Sequence, residues 1–116
     1  MRVIALQYHD VVGDGAWDAS GFPGDDAATY KMAAGDFADH VRAVSRAAAP
    51  HAHGVLDLLA PGRGGAAANG RLPVLFTFDD GGVSAITHTA DALEAHGWRG
   101  HFFVTTDYIG KPGLPT

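Results

Sequence analysis

The sequence predicts an α/β fold in which parallel strands are flanked by helices. The apolar run over residues 72–78 is typical of a strand buried on both faces. A helical pattern and a second apolar run, over residues 102–105, follow it. A strand, a helix and a strand in this order form the unit that joins parallel strands through a right-handed crossover. With 116 residues, 47% of them hydrophobic, the chain suits one domain with a real core.

The first element is an apolar run over residues 3–8, which His9 and Asp10 close. This run predicts a buried first strand with polar groups at its carboxyl end. Residues 13–35 are rich in glycine and aspartate and lack a sustained period, so they predict a long irregular loop.

A first helix is predicted from Asp36, taken as its N-cap, to the residues before Pro50. Its apolar positions recur at helical spacing. They are Phe37, Val41, Val44 and Ala48. Residues 55–59 form a short apolar segment of uncertain type. Residues 61–71 are rich in glycine and alanine and predict a flexible insertion. They do not predict a phosphate-binding loop, because they lack its Gly-Lys-Ser/Thr sequence.

The helix after the strand at 72–78 is predicted from one apolar face and from Gly97, which suits the position just past a helix end. That face consists of Val83, Ile86, Ala90 and Leu93.

Charge and composition exclude several classes of partner and site. Eight basic residues stand against thirteen acidic ones and form no cluster, so neither nucleic acid nor an anionic membrane is an expected partner. Any metal must use nitrogen and oxygen ligands, because the chain has no cysteine. The N-terminal apolar run is too short for a signal peptide or a membrane span, so the sequence as written predicts a cytoplasmic location.

The most informative stretch is residues 77–81, Thr-Phe-Asp-Asp-Gly, at the end of the strand predicted at 72–78. Carboxylates beside an apolar run need water or a cation to stabilise them. Asp79 and Asp80 can therefore belong to a catalytic or metal site, although Asp and Gly are also common in solvated turns. Because neighbouring side chains of a strand point to opposite faces, one carboxylate could hold an ion while the other accepts a proton.

This motif resembles the first signature of the polysaccharide deacetylases, the NodB-homology carbohydrate esterases. Residues 97–105 resemble the family's second strand, and residues 8–11, Tyr-His-Asp-Val, resemble the opening strand of one branch. The resemblance implies a distorted (β/α) barrel that removes acetyl groups from N-acetylated sugar polymers with a divalent metal, most often zinc. Asp79 would be the general base and Asp80 a metal ligand. Family members are often exported.

The chain departs from the family pattern in its metal ligands. Catalytic zinc usually takes three protein ligands, and the family supplies two from a later His-Ser/Thr-x-x-His motif that these 116 residues lack. We expect His88 on a solvated helix face and His96 at a helix end. We expect His51 and His53 in a loop. His9 is the exception, since it follows the first strand at the rim where parallel folds collect active-site groups.

A complete (β/α) barrel takes about 200 residues or more. The chain is therefore expected to be the N-terminal part of one deacetylase domain, a partial barrel that is inactive alone and whose exposed strand edges allow self-association. The alternative is a degenerate module that binds sugars or another partner. A receiver-like phosphorylation domain is disfavoured, because receiver domains carry their acidic pair near the first strand and this chain carries its pair at residues 79 and 80.

Overall fold

A computed structural model of the protein describes residues 2–49, 54–59 and 70–111. In chain order its strands and α-helices are β1 (Ile4–Tyr8), β2 (Asp10–Val12), α1 (Asp25–Ala28), β3 (Lys31–Ala33), α2 (Ala34–Ala47), α3 (Val55–Leu59), β4 (Val74–Phe78), α4 (Ala90–Glu94) and β5 (Gly100–Phe102). A π-helical turn (Ala85–Thr89) precedes α4, and a 3₁₀ turn (Thr106–Tyr108) follows β5.

Two parallel sheets organise these elements. The larger has the order β1-β4-β5, and the smaller pairs β2 with β3. The predicted strand-helix-strand unit is confirmed, because β4 and β5 are parallel neighbours with α4 between them in the chain. A mixed fold with parallel strands is therefore present, and the larger sheet has open edges at β1 and β5 within the described part of the chain.

The core lies between one face of the larger sheet and two helices. Val74, Phe76 and Phe78 of β4 are buried, and helix α2 adds Phe37 and Val41 to the same cluster. The other face of β4 is only half-buried, at Leu75 and Thr77. Burial on both faces was predicted for this strand, and the structure provides it fully on the helix-covered face only.

Aromatic residues line up across the carboxyl ends of the strands. The register places Tyr8 beside Phe78 and Phe78 beside Phe102. Their rings stack with centroid distances of 5.2 and 4.8 Å. Burial raises the pKa of Tyr8 to about 12 from 10.0, and its hydroxyl lies 2.9 Å from Nδ1 of His40. This phenol therefore favours the folded state below pH 10, and that contribution falls as the pH rises towards 12.

Three predictions in the first half of the chain need correction. The first strand lies at an edge of the sheet, so Ile4 is 44% exposed rather than buried. The region predicted as a loop contains α1 and β3. Pairing with β2 orders β3, and such pairing leaves no period in the sequence. Helix α2 starts two residues before Asp36, so that residue lies in the first turn and is not the N-cap.

The apolar segment at 55–59 is a short helix. Of the predicted insertion at 61–71, residues 61–69 lie outside the described residues, as do Pro50, His51 and His53. Among the described residues, no helix is both long enough and apolar enough to cross a membrane.

The helix after β4 is displaced by its π turn. Ile86 was predicted on the buried face but is 73% exposed, whereas Ser84, Thr89 and Leu93 are buried. The step from Ser84 to Thr89 spans five residues. A π turn, whose hydrogen bonds join residues five apart, aligns such a pair on one face. The Ala90 N–H does donate to the Ala85 carbonyl. The α-helical period used for the prediction therefore selected the wrong residue.

Because of this displacement, we expect two alanine substitutions in this helix to differ in their effect on the free energy of unfolding. Leu93→Ala should lower the free energy of unfolding by about 2–5 kcal/mol, because the side chain is 1% exposed and its loss leaves a cavity. Ile86→Ala should change it by no more than about 0.5 kcal/mol, as is usual at exposed positions. Urea denaturation of both variants measures the difference, and equal losses would show that Ile86 is buried as the simple period suggests.

The end of this helix agrees with the prediction. Gly97 has φ +74° and donates its N–H to the Glu94 carbonyl at 3.0 Å. Trp98 donates to the Leu93 carbonyl at 3.0 Å, which completes a Schellman motif. The following strand was predicted at 102–105 but forms at Gly100–Phe102, because its partner β4 ends at Phe78, opposite Phe102.

Candidate active site

The carboxyl ends of β1, β4 and β5 meet at one edge of the larger sheet. Just past the strand ends, Asp79 donates its backbone N–H to the Tyr8 carbonyl at 2.9 Å, and Phe103 donates to the Phe78 carbonyl at 2.8 Å. These bonds extend the ladder by one residue on each side. They place Asp79 beside His9, the residue that follows Tyr8.

Asp79 and His9 line the same crevice, which is too narrow in this structure to hold a water molecule. Its other walls come from Phe78, Phe102, the glycines after Asp80, and the first turn of the following helix at Ser84. The His9 ring also contacts Tyr30, with a centroid distance of 4.9 Å. His9 and Asp79 are the titratable side chains of this crevice in the described part of the chain. A carboxylate and an imidazole can accept and donate protons at one bound group.

The Asp79 carboxylate is oriented by Gln7. The Gln7 side-chain amide donates to Oδ2 of Asp79, and the neutral donor leaves the other carboxylate oxygen available. Gln7 was not singled out from the sequence. The signal was present as a lone polar residue inside an otherwise apolar strand run, but its partner is 72 positions away.

Asp80 is set apart from Asp79 by backbone conformation and not by strand alternation. Strand β4 ends at Phe78, and Asp80 has φ +72°, the one positive value among the described non-glycine residues. Gly81 follows with φ +71°. Two successive left-handed residues turn the chain sharply, so Asp80 is exposed while Asp79 is half-buried. The strand alternation predicted for the two carboxylates does not apply, because both residues lie beyond the end of β4.

The left-handed conformation of Asp80 predicts an unusual effect on stability. Asp80→Gly should raise the free energy of unfolding by about 1 kcal/mol, because glycine adopts positive φ without the steric cost of a Cβ. Asp80→Asn should leave it unchanged, since asparagine tolerates this region as well as aspartate does. Chemical denaturation of the two variants measures both effects. A loss of stability in Asp80→Gly would mean that the carboxylate makes a stabilising contact.

Asp10, which follows His9 in the chain, is a third carboxylate near this edge. It is 6% exposed, and neither of its side-chain oxygens has a hydrogen-bond partner among the described residues. Its backbone N–H donates to the Tyr30 carbonyl at 3.4 Å, in the pairing of β2 with β3.

The remaining histidines lie elsewhere in the described structure. His88 is half-buried on the π turn, where a solvated helix face was expected, and His96 is exposed beyond α4. His101 on β5 accepts a hydrogen bond from the Val55 N–H at 3.1 Å through Nε2. Within residues 2–49, 54–59 and 70–111, no three His, Cys, Asp or Glu side chains form a group able to hold a metal ion.

The fold and the crevice together show an α/β protein with polar side chains at the ends of its strands. Polar side chains at the carboxyl ends of parallel strands, joined by a crossover helix, are the arrangement in which α/β enzymes build active sites. Residues 67–114 match the family model described as polysaccharide deacetylase. The resemblance read from the sequence is thereby confirmed for these residues, which include the Asp79-Asp80-Gly81 motif.

A solved structure agrees in fold. A de-N-acetylase from Aggregatibacter actinomycetemcomitans superimposes with a TM-score of 0.67 at 16% sequence identity. The match covers 95% of this chain and 40% of that protein, so the chain spans about two fifths of that protein's length. No curated protein sequence matches the chain significantly.

Proposed function

We propose that this chain contributes the proton-accepting part of a hydrolase site that removes acetyl groups from N-acetylated amino-sugar polymers. The observation that carries the proposal is the Asp79 carboxylate, held by Gln7 in one crevice with His9 at the carboxyl ends of the strands. The family match over residues 67–114 supports the substrate class.

The chemistry requires one proton to be taken and one to be given. The water oxygen forms a new C–O bond with the acetamide carbonyl carbon, and one proton of that water passes to Asp79. The C–N bond then breaks, and the departing amine takes a proton while acetate is released. His9 is the side chain beside Asp79 that can supply this proton, and the proton held by Asp79 can then return to His9. Substituting His9 should therefore slow amide hydrolysis, because the departing amine would lack a proton donor.

Asp80 is the proposed ligand of a divalent metal, with zinc as the first choice. Its exposed carboxylate on a left-handed turn is free to meet a cation. The described residues do not fit a complete zinc site, because three protein ligands are usual and they provide no group of three. The other ligands would have to come from residues outside the described ranges or from further protein. We propose on the same ground that the chain forms one part of a larger, barrel-shaped deacetylase domain.

A zinc titration tests this assignment. The 116-residue chain should bind zinc weakly, since a single carboxylate holds the ion, and Asp80→Asn should remove the binding that remains. Asp91→Asn is the matched control, because Asp91 is an exposed carboxylate on α4. Binding can be followed by competition with a fluorescent zinc chelator. Sub-micromolar zinc binding by the chain, or equal binding by Asp80→Asn and the wild type, would contradict the proposal.

A further inference from the structure

Helix α3 meets the larger sheet at His101 of β5. The Val55 N–H, at the start of α3, donates to Nε2 of His101 at 3.1 Å. In the described part of the chain, this is the one hydrogen bond that joins α3 to another strand or helix. The apolar side chains of α3 add little packing, because Val55, Leu56 and Leu59 are 42, 83 and 66% exposed. A helix of five residues is unstable alone, so its position depends on such outside contacts.

The partners of the His101 ring define its protonation state. Nδ1 lies 3.3 Å from the Phe76 carbonyl oxygen, which can only accept, so Nδ1 carries the proton. Nε2 faces the Val55 N–H, which can only donate, so Nε2 carries the lone pair. Both contacts are therefore made by the neutral imidazole, and by one tautomer of it.

A further proton on the ring would break its contact with α3. An imidazolium has a hydrogen on each nitrogen, so Nε2 would present a donor to the Val55 donor. Imidazole side chains change charge between about pH 5 and 8. Because the docked helix requires Nε2 without a proton, docking is favoured at the upper end of this range and is lost as the pH falls.

One carboxylate faces the His101 ring from its described neighbours. Asp57 of α3 accepts the Gly54 N–H through Oδ2 at 2.8 Å. This Oδ2 and Nε2 of His101 lie 3.6 and 3.5 Å from a Cβ built on Gly54. Thr77, the β4 residue paired with His101, carries no charge, and Arg99 lines a pocket formed with α4. Asp57 is therefore the group that could hold the helix by binding an imidazolium.

The contact brings α3 onto the face of the sheet that carries Asp79. The register pairs Gln7 with Thr77 and Thr77 with His101, and side chains of paired residues point to the same face. On that face Gln7 donates to the Asp79 carboxylate. Helix α3 therefore lies at the β5 end of this face.

We propose that His101 is a pH-dependent latch for α3. The neutral ring holds the helix against the face of the sheet that carries Asp79. The protonated ring releases the helix and opens that face at β5. This latch is a property of the fold and does not depend on the proposed deacetylase activity.

The test measures the backbone mobility of α3 in the 116-residue chain by ¹⁵N relaxation at about pH 7.5 and about pH 5.5, within and near the ends of the range in which imidazole changes charge. Order parameters of residues 55–59 should be about 0.85 at the higher pH and below about 0.6 at the lower one. The Val55 amide resonance should shift with the same midpoint as the His101 ring. Phe78 and Phe102 should stay rigid at both pH values, which shows that the sheet remains folded.

Three variants separate the latch from other effects of pH. His101→Gln keeps an acceptor for the Val55 N–H in a side chain that does not titrate, so α3 should stay rigid at both pH values. His101→Phe removes the acceptor, so α3 should be mobile at both. His96→Gln removes an exposed histidine beyond α4 and should behave as the wild type does.

Equal order parameters for wild-type α3 at the two pH values would overturn the latch, whether the helix stayed rigid because Asp57 binds the imidazolium or was mobile throughout. The same loss of rigidity in His101→Gln as in the wild type would also overturn it, because another titrating group would then release the helix.

Discussion

Asp79→Asn is expected to lower the rate of acetyl hydrolysis by about 10²–10⁴-fold, the usual contribution of a general base, in a protein that joins this chain to the missing metal ligands. Asparagine has nearly the same shape as aspartate, and its amide oxygen can still accept the hydrogen bond from Gln7. The variant should therefore fold normally. What it loses is the negative charge of the carboxylate, which is the group proposed to take a proton from water.

Two substrates make this experiment informative even if turnover is slow. An activated aryl acetate has a leaving group that needs no protonation, so its hydrolysis reports the base alone. An N-acetylated sugar oligomer also needs a proton for its amine. Asp79→Asn should slow both reactions, whereas His9→Ala should slow only the second. Asp107→Asn, an exposed carboxylate in the 3₁₀ turn, is the control. Retention of the wild-type rate on the aryl ester by Asp79→Asn would remove Asp79 from the role of base.

Gly81→Ala is expected to lower the free energy of unfolding by about 2–5 kcal/mol, from two costs that act together. Its φ of +71° costs an alanine about 1–2 kcal/mol. The added Cβ would also lie 2.9 Å from Cα of Val104, which is backbone and cannot rotate away, and such overpacking costs about 1–3 kcal/mol. Gly81 thus brings the chain after β5 into close contact with the turn that carries Asp79 and Asp80.

Gly97→Ala separates the two costs. Gly97 has nearly the same φ, +74°, but nothing lies within 4 Å of a Cβ built there. Gly97→Ala should therefore lower the free energy of unfolding only by the cost of a positive φ for alanine, about 1–2 kcal/mol. Urea denaturation of both variants gives the comparison, and equal losses would mean that the contact with Val104 does not constrain the turn.

The part of the fold that follows from local patterns was predictable. The apolar run before Asp79 has the length and composition of a strand, and Gly97 ends its helix with the backbone conformation that favours glycine. The order of strand, helix and strand then required parallel pairing of β4 with β5. For the same reason the sequence placed Asp79 and His9 at one edge, since the carboxyl ends of parallel strands lie together.

Other features depended on contacts between residues far apart in the chain. Gln7 reaches Asp79 only because the register aligns β1 with β4 across 72 positions. The strand β3 emerged from a region without periodicity, because pairing with β2 orders it.

Taken by itself, the sequence determined that two carboxylates follow a buried strand and that residues 67–114 are similar to the polysaccharide deacetylases, because neighbouring residues carry both signals. The tertiary structure alone decided that Asp80 turns away through a left-handed backbone, that the π turn buries Thr89 in place of Ile86, and that His101 meets the Val55 N–H across 46 positions. These outcomes depend on packing and register between distant segments, which leave no period and no motif in the chain.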